Sequence, residues 1–278
     1  MTLRVDPVLL FFDIDGTLID NQGAVPASAQ LALRLAKRNG HKLFLCTGRP
    51  LPTIPEGLAR EYGFDGIVAS GGASISCDGK VIHQFLMDRD KLKQYQEFCE
   101  KHRYIYAVQG SKHNYTAASA ADRMRAVADN HEVAISLGEN YREKMVVFDD
   151  ILEIADDAEK LSFFYVDDDI DVASKALGEY FHVMPFYPVK AAQNCGEIQR
   201  TGVDKALGVI KIADYYHEPI EHTIAFGDGP NDIEILRAVH VGVCMANGTE
   251  ETKQAADMVT DAVDNDGLYK AMKRLNLI

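Results

Sequence analysis

Val8-Leu9-Leu10-Phe11-Phe12-Asp13-Ile14-Asp15-Gly16-Thr17 is the stretch on which the fold turns. An apolar run without polar alternation stops abruptly at an aspartate. Such a run suits a strand buried on both faces, as in a parallel sheet covered by helices. Residues i and i+2 of an extended chain face the same way, so Asp13 and Asp15 are expected on one side of the strand's end, with Gly16 freeing the chain to turn. Two carboxylates so placed repel unless a cation sits between them, and a hard divalent ion such as Mg²⁺ prefers oxygen ligands. Taken alone, the pattern fits a pair of loop-capping acids equally well, because short motifs recur by chance.

The same local pattern repeats along the chain. Leu43-Phe44-Leu45-Cys46 ends at Thr47-Gly48-Arg49, and Ile67-Val68-Ala69 ends at Ser70-Gly71-Gly72. Thr223-Ile224-Ala225-Phe226 ends at Gly227-Asp228, Val241 to Met245 ends at Ala246-Asn247-Gly248, and Met258-Val259 ends at Thr260-Asp261. Helical patterns lie between the runs: Ala27 to Asn39, with Leu31 and Leu35 on its apolar face and Gly40 as its stop, then Lys205 to Tyr216 and Asp232 to Val239. Strand alternating with helix predicts an α/β, doubly wound parallel-sheet core of the Rossmann-like kind. Ligands of such sheets gather beyond the carboxyl ends of the strands, where Asp13, Thr47 and Asp228 all fall.

The middle of the chain reads differently. Helices are expected over Asp90–His102, Ala117–Asn130 and Asp169–Tyr180, with strands over Tyr104–Val108, Lys144–Phe148, Leu161–Val166 and Phe181–Met184. None of these runs ends in a Gly/Asp cluster. The expected organisation is a core of residues 1–83 and 196–278 interrupted by an α/β insertion, 84–195. A chain of 278 residues with 47% hydrophobic residues has the material for two such units.

Composition narrows the partners. A formal net charge of −13 repels nucleic-acid backbones and anionic membranes, so neither is expected as a partner. No stretch approaches transmembrane length, the first residues lack a long apolar core, and the 5 cysteines are scattered without a C-x-x-C pair. These features lead to the expectation of a cytoplasmic protein with reduced thiols; a homodimer is one assembly left open.

Two further clusters complete the set. Lys205 opens a helix after Thr201-Gly202-Val203-Asp204, and Gly227-Asp228-Gly229-Pro230-Asn231-Asp232 forms a tight acidic loop between a buried strand and a helix. A lysine at a helix start is ordinarily a solvated residue; its interest comes from the acids it accompanies. The acidic loop lacks the third glycine of a dinucleotide fingerprint and puts acids where a pyrophosphate would sit, which favours a metal. Other candidates read as structural: Cys46 as a buried strand thiol and Asp167-Asp168-Asp169 as a helix start, while His113, Tyr115, Arg123 and Arg125 of the insertion are candidates to meet substrate, against the simpler reading that charged residues there are solvated. The 9 histidines show no zinc spacing.

Taken in order, the four clusters resemble the signature motifs of the haloacid dehalogenase superfamily of phosphatases, and most closely the Cof-type subfamily, whose cap is inserted late. Gly227 to Leu236, Ala246-Asn247-Gly248, Ala256-Asp257 and Asp266-Gly267-Leu268 extend the resemblance, which spans about residues 8–82 and 196–270. It implies Asp13 as a covalent nucleophile and Asp15 as the acid, then base. Thr47, the Gly48 backbone and Asn231 would bind phosphate. Lys205 would neutralise charge, Mg²⁺ would lie between Asp13, the Asp15 carbonyl and Asp228, and Asp232 would orient Lys205 or a metal-bound water. Many relatives carry Asn-Gly where this chain has Gly71-Gly72, which removes one side-chain contact. The implied activity is Mg²⁺-dependent hydrolysis of a small phosphorylated metabolite, sugar phosphates first. The alternatives are a phosphoryl transferase or mutase on the same fold, or a non-catalytic regulator that binds a phosphometabolite.

Overall fold

The computed structural model describes residues 6–123, 145–164, 170–185 and 195–278. They form two units, one of residues up to 48, 56–83 and 204–278, the other of residues 49–55 and 84–203.

The first unit holds β1 (Leu9–Phe12), β2 (Lys42–Cys46), β3 (Gly66–Ala69), β4 (Ser74–Cys77) and β5 (Lys80–Gln84). The second holds β6 (Ile105–Gln109), β7 (Asn114–Ala117), β8 (Met145–Phe148), β9 (Lys160–Phe164), β10 (Phe181–Pro185) and β11 (Gly196–Arg200). The chain then returns to the first unit with β12 (Thr223–Gly227), β13 (Val241–Cys244) and β14 (Met258–Val259).

The first sheet runs β14-β13-β12-β1-β2-β3-β4-β5. β1 pairs parallel with β2 and with β12, placing Phe12 between Leu45 and Phe226. Phe11 stacks on Phe44 at 5.1 Å and Phe12 on Phe226 at 5.0 Å between ring centroids. Successive strand residues point to opposite faces, so the two phenylalanines fill core on both sides. That is why the opening run carries no polar alternation. The helix Ala27–Arg38 buries Ala29, Ala32, Leu33 and Ala36, while Leu31 is exposed, so the alanines and not Leu31 form its packed face. Small side chains let the helix lie close to its neighbours. The sheet departs from a purely parallel one at its far edge. β4 runs antiparallel to β3, and Asp78 and Gly79 turn the chain into β5 with φ of 50° and 75°. An Asp-Gly pair between two apolar-polar runs is the hairpin signal at that point.

The second unit is a six-stranded sheet in the order β10-β11-β9-β6-β7-β8, antiparallel apart from β7 and β8. One face packs on the helices Arg89–Lys101 and Ile170–Leu177, with Leu92, Tyr95, Phe98, Ala173 and Leu177 meeting Tyr106, Val108, Leu161, Phe163 and Ile198. The sequence reading put residues from 196 in the core. Instead β11 pairs with β9 and β10, and Gly196 lies so close to the Phe163 ring that a Cβ would collide with it. The segment Arg49–Pro55 also groups with this unit. The helix expected from Ala117 begins later, because Ala117 ends β7 and a short 3₁₀ turn follows. Its remainder, with Arg125, Lys144, Val166 and Asp167-Asp168-Asp169, lies outside the described residues. Among the described residues no helix is long and apolar enough to cross a membrane.

Candidate active site

From β1 the chain winds outward through β2 and β3 on one side, and through β12, β13 and β14 on the other. The reversal of direction between β1 and β12 is a topological switch point, where the connections leave in opposite directions and open a crevice at the strands' carboxyl ends. Asp13 directly follows β1 and its amide donates to the Phe226 carbonyl at 2.9 Å; Asp228 directly follows β12. Two aspartates 215 positions apart are neighbours for that reason.

Lys205 occupies the first turn of the helix Lys205–Tyr216, whose N-cap Asp204 accepts from the Leu207 amide at 2.8 Å. Its side chain is 1% exposed and its Nζ donates to Asp13 Oδ1 at 2.6 Å and to Asp232 Oδ1 at 2.5 Å. The other Asp232 oxygen accepts the Asp228 and Gly229 amides, each at 2.9 Å. Asp232 is thus used on both oxygens to hold the lysine and the Asp228 loop. Oxygens of Asp13, Asp228 and Asp232 lie within 4.8 Å of one another, and all three residues are buried. Asp15 is outside that triple and half-buried. β1 ends at Phe12, and a turn closed by the Leu18 and Ile19 amides on the Ile14 carbonyl carries the pair, so strand alternation does not orient it.

Charge balance governs this cluster. One ammonium against three buried carboxylates leaves negative charge uncompensated. Burial, opposed by Lys205 and reinforced by Asp232, Asp228 and Asp15, holds the Asp13 carboxyl well above the usual range. Burial and then Asp232 push Asp228 up to about 7. Burial works against the Lys205 charge, but Asp13 and Asp232 outweigh it and raise its pKa. The available donors are all oxygen. A hard divalent cation is the group whose charge and ligand preference match this deficit. Asp13 and Asp228 have the oxygens suited to it, since Asp232 is committed elsewhere.

Of the phosphate-site candidates, Thr47 is 1% exposed at the end of β2, its amide on the Val68 carbonyl, and its own carbonyl accepts the Gly71 amide at 3.0 Å. Gly48 and Asn231 are half-buried in the loops after β2 and β12. The Gly71-Gly72 pair has a backbone reason: Gly72 has φ of 106°, and a Cβ there would run into the Asp204 carbonyl at the head of the lysine helix. Cys46 is buried, with its thiol held far above the ordinary range by burial, as befits a structural residue.

Two contributors carried no assigned role in the sequence reading. Thr17 Oγ1 donates to Asp228 Oδ1 at 2.8 Å, and Asn247 Nδ2 reaches the Gly16 carbonyl at 2.8 Å and Asp228 Oδ2 at 3.4 Å. Gly16, at φ 79°, leaves room for Asp228, whose carboxylate a Cβ would strike. In the sequence Asn247 showed only as a strand-end residue within one of the stretches that extend the resemblance, with no role attached.

A family model described as haloacid dehalogenase-like hydrolase matches residues 10–272. The chain belongs to this family. It is a haloacid dehalogenase-type phosphatase of the Cof kind, as the motifs implied. Among curated proteins it is 28% identical to a putative phosphatase, YkrA, of Bacillus subtilis, over 99% of this chain and 100% of the relative. It is 26% identical to the B. subtilis 5-amino-6-(5-phospho-D-ribitylamino)uracil phosphatase YitU, over 98% of each. Among solved structures it resembles the subclass IIB sugar phosphatase BT4131, with a TM-score of 0.80 and 27% identity over 98% of this chain and 100% of that one.

Proposed function

We propose that this haloacid dehalogenase-type phosphatase is an Mg²⁺-dependent phosphomonoester hydrolase of a small phosphorylated metabolite, with Asp13 as nucleophile. The buried Lys205 ammonium bridging Asp13 and Asp232 is the observation that carries this reading. A carboxylate oxygen attacks poorly while it is protonated, and the bridge aims Asp13 and opposes the burial that raises its pKa. An Asp13 oxygen attacks phosphorus, the bond to the leaving oxygen breaks, and Asp15 gives that oxygen its proton. Asp15 then takes a proton from water, whose oxygen attacks the aspartyl-phosphate and frees inorganic phosphate with Asp13 restored. Thr47, the Gly48 amide and Asn231 hold the phosphoryl oxygens, and Asp232 keeps Lys205 in place. Mg²⁺, held by Asp13, Asp228 and the Asp15 carbonyl, would supply the remaining positive charge.

Sugar phosphates are the first substrate class to examine. BT4131 is described as a sugar phosphatase, and the YitU substrate carries its phosphate on a ribityl chain, a polyhydroxylated group of the same kind. The insertion, 84–195 in the sequence reading, would act as the specificity cap, and the setting would be cytoplasmic. The test is phosphate release from sugar phosphates, nucleotides, phosphorylated cofactors and an aryl phosphate, with Mg²⁺, with EDTA, and with Asp13→Asn. Release that needs the cation and vanishes in Asp13→Asn is expected. A folded, cation-loaded protein releasing phosphate from none of them refutes the reading. A phosphorylated acceptor in place of inorganic phosphate would instead identify a transferase.

A further inference from the structure

We propose that Asn247 is a positioning residue for the cation site, fixing the span between the turn that carries Asp13 and Asp15 and the carboxylate of Asp228. The inference rests on the cation-dependent reading above and extends it to a residue with no role there.

Asn247 lies just beyond β13, one strand further from β1 than Asp228. Three hydrogen bonds use its amide in three directions. Nδ2 donates to the Gly16 carbonyl at 2.8 Å and, at 3.4 Å, to Asp228 Oδ2; Oδ1 accepts the Val263 amide at 3.0 Å. A single planar group therefore ties the turn after β1, the acid after β12 and the segment before the last helix. With Thr17 on Oδ1, both oxygens of Asp228 accept a hydrogen bond, which fixes the rotation of that carboxylate. The Asn247 loop is itself set against Asp228: the Thr249 amide donates to the Asp228 carbonyl at 3.1 Å, and a Cβ on Gly248 would lie 2.8 Å from that carbonyl oxygen. Asp13 and Asp228 come from different strands, so β-pairing sets their spacing only to the precision of the loops beyond it. Asn247 bonds to both loops from a third strand end, as Lys205 does from its helix through Asp13 and Asp232. Groups that orient metal ligands in this way carry much of a site's affinity.

The test separates the bonds to the site from the bond to Val263. Asn247→Leu removes all three; Val263→Pro removes only the Val263 donor, at the first position of a 3₁₀ turn where proline is tolerated. Dissociation constants for Mn²⁺ and Mg²⁺ are measured by electron spin resonance and calorimetry, with melting in EDTA as the control for folding. Asn247→Leu is expected to raise both constants about tenfold, while Val263→Pro leaves the constants at the wild-type value. Asn247→Ser, too short to reach Gly16, carries the same expectation where the leucine variant does not fold. Unchanged constants in a folded Asn247 variant overturn the proposal, as does equal weakening by Val263→Pro, which would assign the effect to the last helix. Wild-type protein that binds neither cation overturns the cation-dependent reading itself, and this inference with it.

Discussion

Replacing Lys205 with methionine keeps most of the side chain's length and removes its charge together with its two hydrogen bonds. At 2.6 Å and an effective dielectric constant near 20, each of its two contacts has a gross attraction of about 6 kcal/mol. Desolvation of the ammonium takes back several kcal/mol, so the net loss is far below that sum. What remains is dominated by the stranded partners, since the ammonium is 1% exposed and water cannot replace it at Asp13 or Asp232. Breaking a buried pair in this way costs about 3–5 kcal/mol. For a unit of this size that lowers the melting temperature by about 6–20 °C, followed by circular dichroism in EDTA at neutral pH. Phosphate release at saturating Mg²⁺ should fall about 100- to 1,000-fold, the usual cost of one preorganised charge at a transition state. Adding Asp232→Asn to the methionine variant should recover part of the stability and none of the activity, because one stranded charge is gone while Asp13 still lacks its partner. A melting shift under about 3 °C, or equal recovery of activity and stability in the double variant, refutes this account of the cluster.

Two further outcomes are expected. The Val8 amide donates to His41 Nδ1, so Nε2 bears the ring proton and donates to the Leu277 carbonyl, both at 3.1 Å. Burial, partly offset by that carbonyl, lowers the His41 pKa, so the unfolded chain binds a proton the native one resists and stability falls as pH drops through about 6.5. His41→Leu should flatten urea-unfolding stability between pH 7 and 5, taken about the same midpoint, and an unaltered slope would remove His41 from the account. Gly16→Ala should weaken cation binding about tenfold or more, whereas Gly23→Ala, at the nearly equal φ of 80° but with nothing within 4 Å, should leave it intact. Equal weakening in both would assign the effect to backbone strain and not to the Asp228 contact.

The core strands were legible because each is buried on both faces and leaves an unbroken apolar run, and the run's end marked Asp13, Thr47 and Asp228 together. Lys205 and Asp232 were named by resemblance to the family; as residues they read as a helix start and a loop acid. The β4–β5 hairpin leaves only the Asp78-Gly79 signal in the sequence, because β5 is an exposed edge strand without the unbroken apolar run of the parallel strands. The register of β11 was not legible at all: Gly196 to Arg200 is short and half polar, and only its partners β9 and β10 say which sheet it joins.

By itself the sequence determined which residues bear charge at strand ends, since local patterning fixes where a strand stops and which side chain comes next. Tertiary structure alone decided how those ends meet. The reversal between β1 and β12 brings Asp13 beside Asp228, the Gly72 turn seats the lysine helix, and the packing of separate loops gives Thr17 and Asn247 a carboxylate to hold. These are contacts between positions about 20 to more than 200 residues apart, and no local pattern encodes them, because they arise from how complete elements pack and not from the order of residues within one.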